Sequence, residues 1–194
     1  KDLTRPDGPA RDLDEDLRET YPGRATHAVC FGSPHVQCDQ KLNDAYVGAG
    51  ADNVRFFGLR LFDPLNDTPE AVESDLSSGR VLGLKPYPRY VRKPDVNDAE
   101  IPDMLPDWCM DIVDRVGAIV MLHIPRKLRL ADPLNQRQLV ELCTRFPSAR
   151  IVLAHVGRAY YLNNVLGNLE RLRELPNLYY DLSMVQQWEV FEHL

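Results

Sequence analysis

The chain lacks the features that would direct it to a membrane or to a nucleic acid. Its longest apolar runs, such as Ala118 to Ile124, fall far short of the ~20 residues that a bilayer-spanning helix needs. It opens Lys-Asp-Leu-Thr-Arg-Pro, without the apolar stretch that forms the middle of a secretory signal. It has no basic stripe: 23 Lys and Arg stand against 29 Asp and Glu, a formal charge of −6, which argues against nucleic acid as a partner. The four cysteines, Cys30, Cys38, Cys109 and Cys143, contain no C-x-x-C pair and read as reduced thiols, which implies a cytoplasmic setting. No Gly-rich phosphate loop is present, because Gly48-Ala-Gly50 falls at the end of a helical pattern and does not open one. A G-x-S-x-G nucleophile elbow is also absent. No linker or composition shift divides the sequence. What remains is globular composition, 44% apolar and 27% charged, with material for one core across residues 1–194.

Against that background six short apolar runs stand out: His27 to Phe31, Val54 to Phe62, Val81 to Tyr87, Ala118 to Ile124, Arg150 to Val156 and Leu178 to Ser183. Most are continuously apolar, as expected for parallel strands covered on both faces. Helical patterns separate them. Thr68-Pro69-Glu70 and Asp132-Pro133 each place an N-capping side chain before a proline at the first helical position. Trp108 to Val116 is amphipathic and Gly117 can stop it in a left-handed cap. Leu162 to Leu175 carries leucines at helical spacing before Pro176, and shorter helices are expected at Asp12 to Thr20 and through the final VQQWEVFEHL. This alternation, at roughly 30 residues per unit, predicts an α/β fold, either a (β/α)₈ barrel or a doubly wound sheet.

Polar groups follow the apolar runs at one end only: Arg60-Leu-Phe-Asp63, Lys85-Pro-Tyr87, His123-Ile-Pro-Arg126, His155-Val-Gly-Arg158 and Asp181-Leu-Ser183. In barrels the carboxyl ends of the strands carry the active site. His123 and His155 occupy equivalent places one βα unit apart, and neighbouring strands lie about 4.8 Å from each other, so both imidazoles can reach one metal ion or one substrate atom. Lys85 either serves the site or snorkels to water. Asp181 either ligates, accepts a proton or caps the next turn. Arg60, Arg126 and Arg158 suit a substrate carboxylate, or else pair structurally. His27 starts its strand and therefore belongs to the opposite end. His35 lies just past a carboxyl end, within reach of a pocket, and His193 carries no signal.

Taken together, MLHIP, FPSARIVLAHVGR, LPNLYYDLS and VLGLKPYP resemble the amidohydrolase superfamily, in particular the amidohydrolase-related TIM-barrel metal-dependent hydrolases. The resemblance implies a divalent metal at the barrel mouth, zinc above all, with manganese as the other option. It implies that His123 is a metal ligand and that His155 is a second ligand or the acid/base. Lys85 and Asp181 are then catalytic supports, and Tyr87 joins Arg60, Arg126 and Arg158 in holding a small-molecule substrate. The activity implied is hydrolysis of an ester, lactone or amide by a metal-activated water. A zinc-dependent non-oxidative decarboxylase and a degenerate, ligand-binding barrel are the alternatives, and self-association is compatible with all three. The family's strand-1 His-x-His and strand-8 Asp have no counterpart here, and a whole barrel takes about 250 residues. The expectation is therefore a partial barrel holding the second to seventh strands.

Overall fold

The computed structural model describes residues 10–35 and 37–194. Six strands form one sheet: β1 (Ala28–Phe31), β2 (Phe56–Phe62), β3 (Gly83–Pro86), β4 (Ile119–Leu122), β5 (Arg150–Leu153) and β6 (Leu178–Tyr180). Every pairing is parallel and the strands lie side by side in chain order. That order separates the two architectures that the βα rhythm allowed. A doubly wound sheet reverses direction partway across, whereas a barrel adds each strand beside the last. The sheet is thus the arc of a barrel, with β1 and β6 as its edges among the described residues.

The connecting helices are α1 (Ala10–Thr20), α2 (Gln40–Gly50), α3 (Pro69–Ser77), α4 (Ile101–Met104), α5 (Asp107–Val116) and α6 (Pro133–Arg145). Their ends use the expected devices. The Thr68 hydroxyl accepts the Ala71 N–H at 3.3 Å, and the Asp132 carboxylate accepts the N–H groups of Leu134 and Asn135 at 3.0 and 3.4 Å. Gly117 closes α5 in the left-handed conformation.

The two faces of the sheet differ. Leu84, Val120, Leu122, Ile151 and Leu153 point outward and are buried against Val72, Leu76, Met110, Val113, Leu139 and Leu142 of the helices. The opposite face is the inner wall of the arc, and its row includes Val29, Phe31, Lys85, Met121 and Tyr179. Toward the edges this wall is open, so Val29 and Tyr179 are 48% and 47% exposed. Gly83 sits where β3 meets β4 most closely: a Cβ there would lie 1.9 Å from the Ile119 carbonyl oxygen, and no side chain fits. Before β6, buried Asn177 donates from Nδ2 to the carbonyls of Cys143, Phe146 and Ala149, tying the strand to the end of α6.

Two helix expectations fail. Leu162 to Leu175 forms a 3₁₀ turn at Leu162–Asn164 and then a chain of turns, although Val165, Leu169 and Leu172 are still buried. The leucine spacing was right for burial, but Asn163, Asn164 and Asn168 offer the backbone competing side-chain partners and Gly167 takes a φ of 71°. The final segment is 3₁₀ at Trp188–His193, not α-helical. No helix among the described residues is long and apolar enough to cross a membrane.

Candidate active site

The carboxyl ends of β3 to β6 deliver Lys85, Tyr87, His123, His155 and Asp181 to one mouth of the arc. The ring of Tyr87 lies 5.4 Å from that of His123, and the His123 ring lies 5.4 Å from that of His155, tilted at 82°. Lys85 Nζ stands 5.2 Å from the Tyr87 ring centre and 5.0 Å from that of Phe31. Asp181 Oδ2 is 3.5 Å from His155 Nδ1. Lys85, Tyr87, His123 and Asp181 keep the inner-facing parity of their strands. His155 has the outward parity of Ile151 and Leu153 and lies one place beyond the register partner of His123, and the turn that follows β5 brings it in.

His155 is aimed by unusual backbone. His155, Val156, Gly157 and Arg158 all have positive φ, at 56°, 53°, 67° and 58°, one turn of left-handed helix directly after β5. Each non-glycine residue there costs about 1–2 kcal/mol, so surrounding structure must hold the turn. Asp181 does so twice: its carbonyl accepts the Val156 N–H at 2.8 Å and its carboxylate accepts the His155 N–H at 3.1 Å. Val156 is fully buried, and Arg158 Nη1 donates to the Ile124 carbonyl at 3.1 Å. Gly157 suits the tightest point, since a Cβ would meet Leu130 Cδ1 at 3.0 Å.

The electrostatics are lopsided toward positive charge. Burial, with Arg158, Lys85, His155 and Arg129 nearby, pushes the His123 imidazole down to about 3, so it is neutral near pH 7. Its Nδ1 is buried with no hydrogen-bond partner. Burial likewise lowers Lys85 to about 8, against the opposing pull of Asp181. Burial raises the Asp181 carboxyl, but the Ser183 hydroxyl, the N–H groups of His155 and Ser183 and the His155 ring outweigh it and hold it below the usual carboxylate range.

The arginines part company. Arg60 has the other parity of β2 and lies on the helix-covered face, 2.6 Å from Asp67 and 2.8 Å from Asp75, only 8% exposed. It does not join the mouth. Arg60→Ala is expected to cost about 3 kcal/mol in denaturant unfolding, because half-buried Asp67 loses its cation and keeps only the Asp63 N–H, while activity per folded molecule is retained. Arg126 is tied to Asp132 at 3.0 Å, beside the start of α6. Arg158 belongs to the His155 turn and bonds Tyr160. His27 stacks 6.2 Å from Phe57 at the amino end of the sheet, and exposed His35 turns back to accept the Gln37 N–H. The His193 carbonyl accepts from Arg173. All four cysteines are free thiols, and burial raises Cys109 and Cys143 to about 12.

Four residues of the mouth were not foreseen. Tyr160 places its ring 5.9 Å from His155 and under the Arg129 guanidinium at 4.7 Å. Phe31 faces Lys85, and Ser183 bonds both His155 and Asp181. Only Ser183 had a readable signal, the D-x-S spacing that favours a side-chain-to-backbone turn.

A family model described as amidohydrolase matches residues 5–193. The chain belongs to the amidohydrolase family. Among solved structures it is similar to 4-oxalomesaconate hydratase from Rhodopseudomonas palustris, with a TM-score of 0.55 and 16% identity over 79% of this chain and 52% of that one. It is also similar to 2,6-dihydroxybenzoate decarboxylase, with a TM-score of 0.51 and 13% identity over 94% of this chain and 72% of that one. These likenesses confirm the (β/α) barrel architecture. The chain spans about half the length of the hydratase it matches. No curated protein matches it.

The residues present fit two positions of a metal site. His123 is neutral with a bare buried nitrogen, and His155 Nε2 has no hydrogen-bond partner among the described residues, which is the donor chemistry that zinc accepts. A catalytic zinc takes about three protein ligands. Among the described residues no group of three or more His, Cys, Asp or Glu side chains is arranged to hold an ion.

Proposed function

We propose that the protein is a metal-dependent hydrolase that opens an ester, lactone or amide bond in a small anionic substrate. The observation that carries this reading is the pair of imidazoles at consecutive strand ends, rings 5.4 Å apart, each with a ring nitrogen that has no hydrogen-bond partner among the described residues. His123 and His155 would hold a divalent cation there, zinc or manganese, together with donors from outside the described residues. When bound, the cation supplies Lewis-acid polarisation of the carbonyl and activation of the attacking water.

The chain's own groups do the rest. Lys85, Arg129 and Arg158 surround His123 with positive charge, and Asp181 is the carboxylate that faces them, so the mouth favours a ligand that brings negative charge. Tyr87 and Tyr160 flank the imidazoles with flat apolar faces that orient a planar group and displace water. His155, held by Ser183 and Asp181, exchanges a proton with the reacting atoms where it does not ligate.

The same excess of positive charge favours a second reading, non-oxidative decarboxylation, because the leaving carboxylate would be gripped by the cations. One experiment separates the two. The intact gene product, supplied with zinc or manganese, is incubated with a panel of carboxylate-bearing lactones, esters and amides and with aromatic acids. Acid release without carbon dioxide is the expected result. Carbon dioxide from the free acids would move the protein to the decarboxylases. Turnover of nothing in the panel, together with retained ligand binding in His123→Ala, would leave a barrel that only binds.

A further inference from the structure

Asp181 stands beside His155 in the place of a catalytic carboxylate, but three hydrogen bonds, all from His155 and Ser183, already occupy most of its acceptor sites. Oδ1 accepts the Ser183 N–H at 3.1 Å. Oδ2 accepts the His155 N–H at 3.1 Å and the Ser183 hydroxyl at 2.7 Å. The Ser183 hydroxyl proton is therefore spent on Asp181, which leaves its oxygen as an acceptor. That oxygen lies 2.9 Å from His155 Nδ1, and the Ser183 carbonyl oxygen, which can only accept, lies at the same distance. Two acceptors facing one ring nitrogen fix where its proton is: Nδ1 carries the hydrogen and Nε2 keeps the lone pair.

We propose that Ser183 and Asp181 are positioning residues that lock His155 as the Nδ1–H tautomer and present Nε2 to the site, and that Asp181 neither takes a proton from substrate nor ligates. The Asp181 carboxylate acts at one remove. It pins the left-handed turn through the His155 N–H, and it orients the Ser183 hydroxyl and, through the Ser183 N–H, the carbonyl beside it. Together these put one defined lone pair at the mouth. The proposal deepens the hydrolase reading, in which Nε2 serves as ligand or base, but the tautomer itself is a property of the metal-free chain.

The test uses the intact protein stripped with chelator and labelled with ¹⁵N in its histidine rings. Spectra are recorded well above the ordinary imidazole pKa of about 6.5. The unmodified protein is expected to show His155 with a protonated Nδ1 and a bare Nε2. Ser183→Ala removes one of the two acceptors and is expected to raise the Nε2–H fraction roughly fivefold, the effect of one hydrogen bond; Ser183→Thr restores the original ratio. With metal and substrate present, Ser183→Ala lowers kcat by roughly 10-fold or more at unchanged KM, as losses behind a ligand or base do, and Ser183→Thr recovers it. An Nε2–H tautomer in the unmodified protein, or a ratio indifferent to Ser183→Ala, overturns the proposal. The reading in the unmodified protein stands even if Ser183→Ala fails to fold. If the tautomer result holds but zinc does not bind, the hydrolase reading fails and the positioning role survives.

Discussion

His123→Ala in the intact gene product is expected to abolish turnover and to lower metal affinity by more than ~100-fold, since loss of groups that merely support a ligand already costs 10–100-fold. Metal per chain, measured by mass spectrometry on protein purified without chelator, should fall from one or two equivalents to none. The same substitution has a second signature that needs no metal. His123 is held neutral down to about 3 by burial and by Arg158, Lys85, His155 and Arg129, whereas in the unfolded chain it titrates near 6.5. Between those values the unfolded state binds a proton that the folded state refuses, so stability falls as pH drops below about 6.5. In chelator-stripped protein, His123→Ala should remove part of that acid sensitivity between pH 6 and 4. Full metal content in the variant would exclude His123 as a ligand. Loss of metal with an unchanged acid profile would instead keep the ligand role and contradict the buried, neutral imidazole.

The strand rhythm and the histidine pair were legible in the sequence because both depend on local pattern. Continuous apolar runs such as IVML and IVLA identify covered strands, and a histidine directly after each run marks a carboxyl end. The βα rhythm by itself left barrel and doubly wound sheet open, since that choice depends on which strands become neighbours, and it was the family resemblance of the strand-end motifs that selected the barrel the structure shows. Arg60 shows a second limit. In FFGLRLF both parities are apolar, so alternation says nothing about which face the arginine takes. The partners that decide it, Asp67 and Asp75, lie beyond β2, Asp67 before α3 and Asp75 within it. Leu162 to Leu175 shows a third, because heptad-like leucines report burial whether or not the backbone between them is helical. The left-handed turn at His155 is sustained by contacts from Asp181, 26 residues on, and no local propensity predicts three non-glycine residues at positive φ. Sites of this kind, where local preference is overruled, are where function is most often found.

Lys85→Met is expected to make the protein more stable and inactive. Lys85 is 2% exposed, and its ammonium rests between Phe31 and Tyr87, with Asp181 as the charge that favours it. Burial lowers it from 10.5 to about 8. Below pH 8 the side chain is charged in both folded and unfolded states, and the full cost of burying it is present. Between pH 8 and 10.5 the unfolded chain keeps a proton that the folded chain has released, so stability rises with pH through that window, by as much as about 3 kcal/mol. Methionine fills a similar volume without the charge, so at pH 7 the chelator-stripped variant should gain about 1–3 kcal/mol in urea unfolding and lose the rise between pH 8 and 10.5. A destabilised variant at pH 7 would show that the ammonium is a structural partner in the mouth. The expected pairing of gained stability with lost turnover would mean that Phe31, Tyr87 and Asp181 do not repay the burial of this cation, and that it is kept for a negatively charged ligand arriving beside His123.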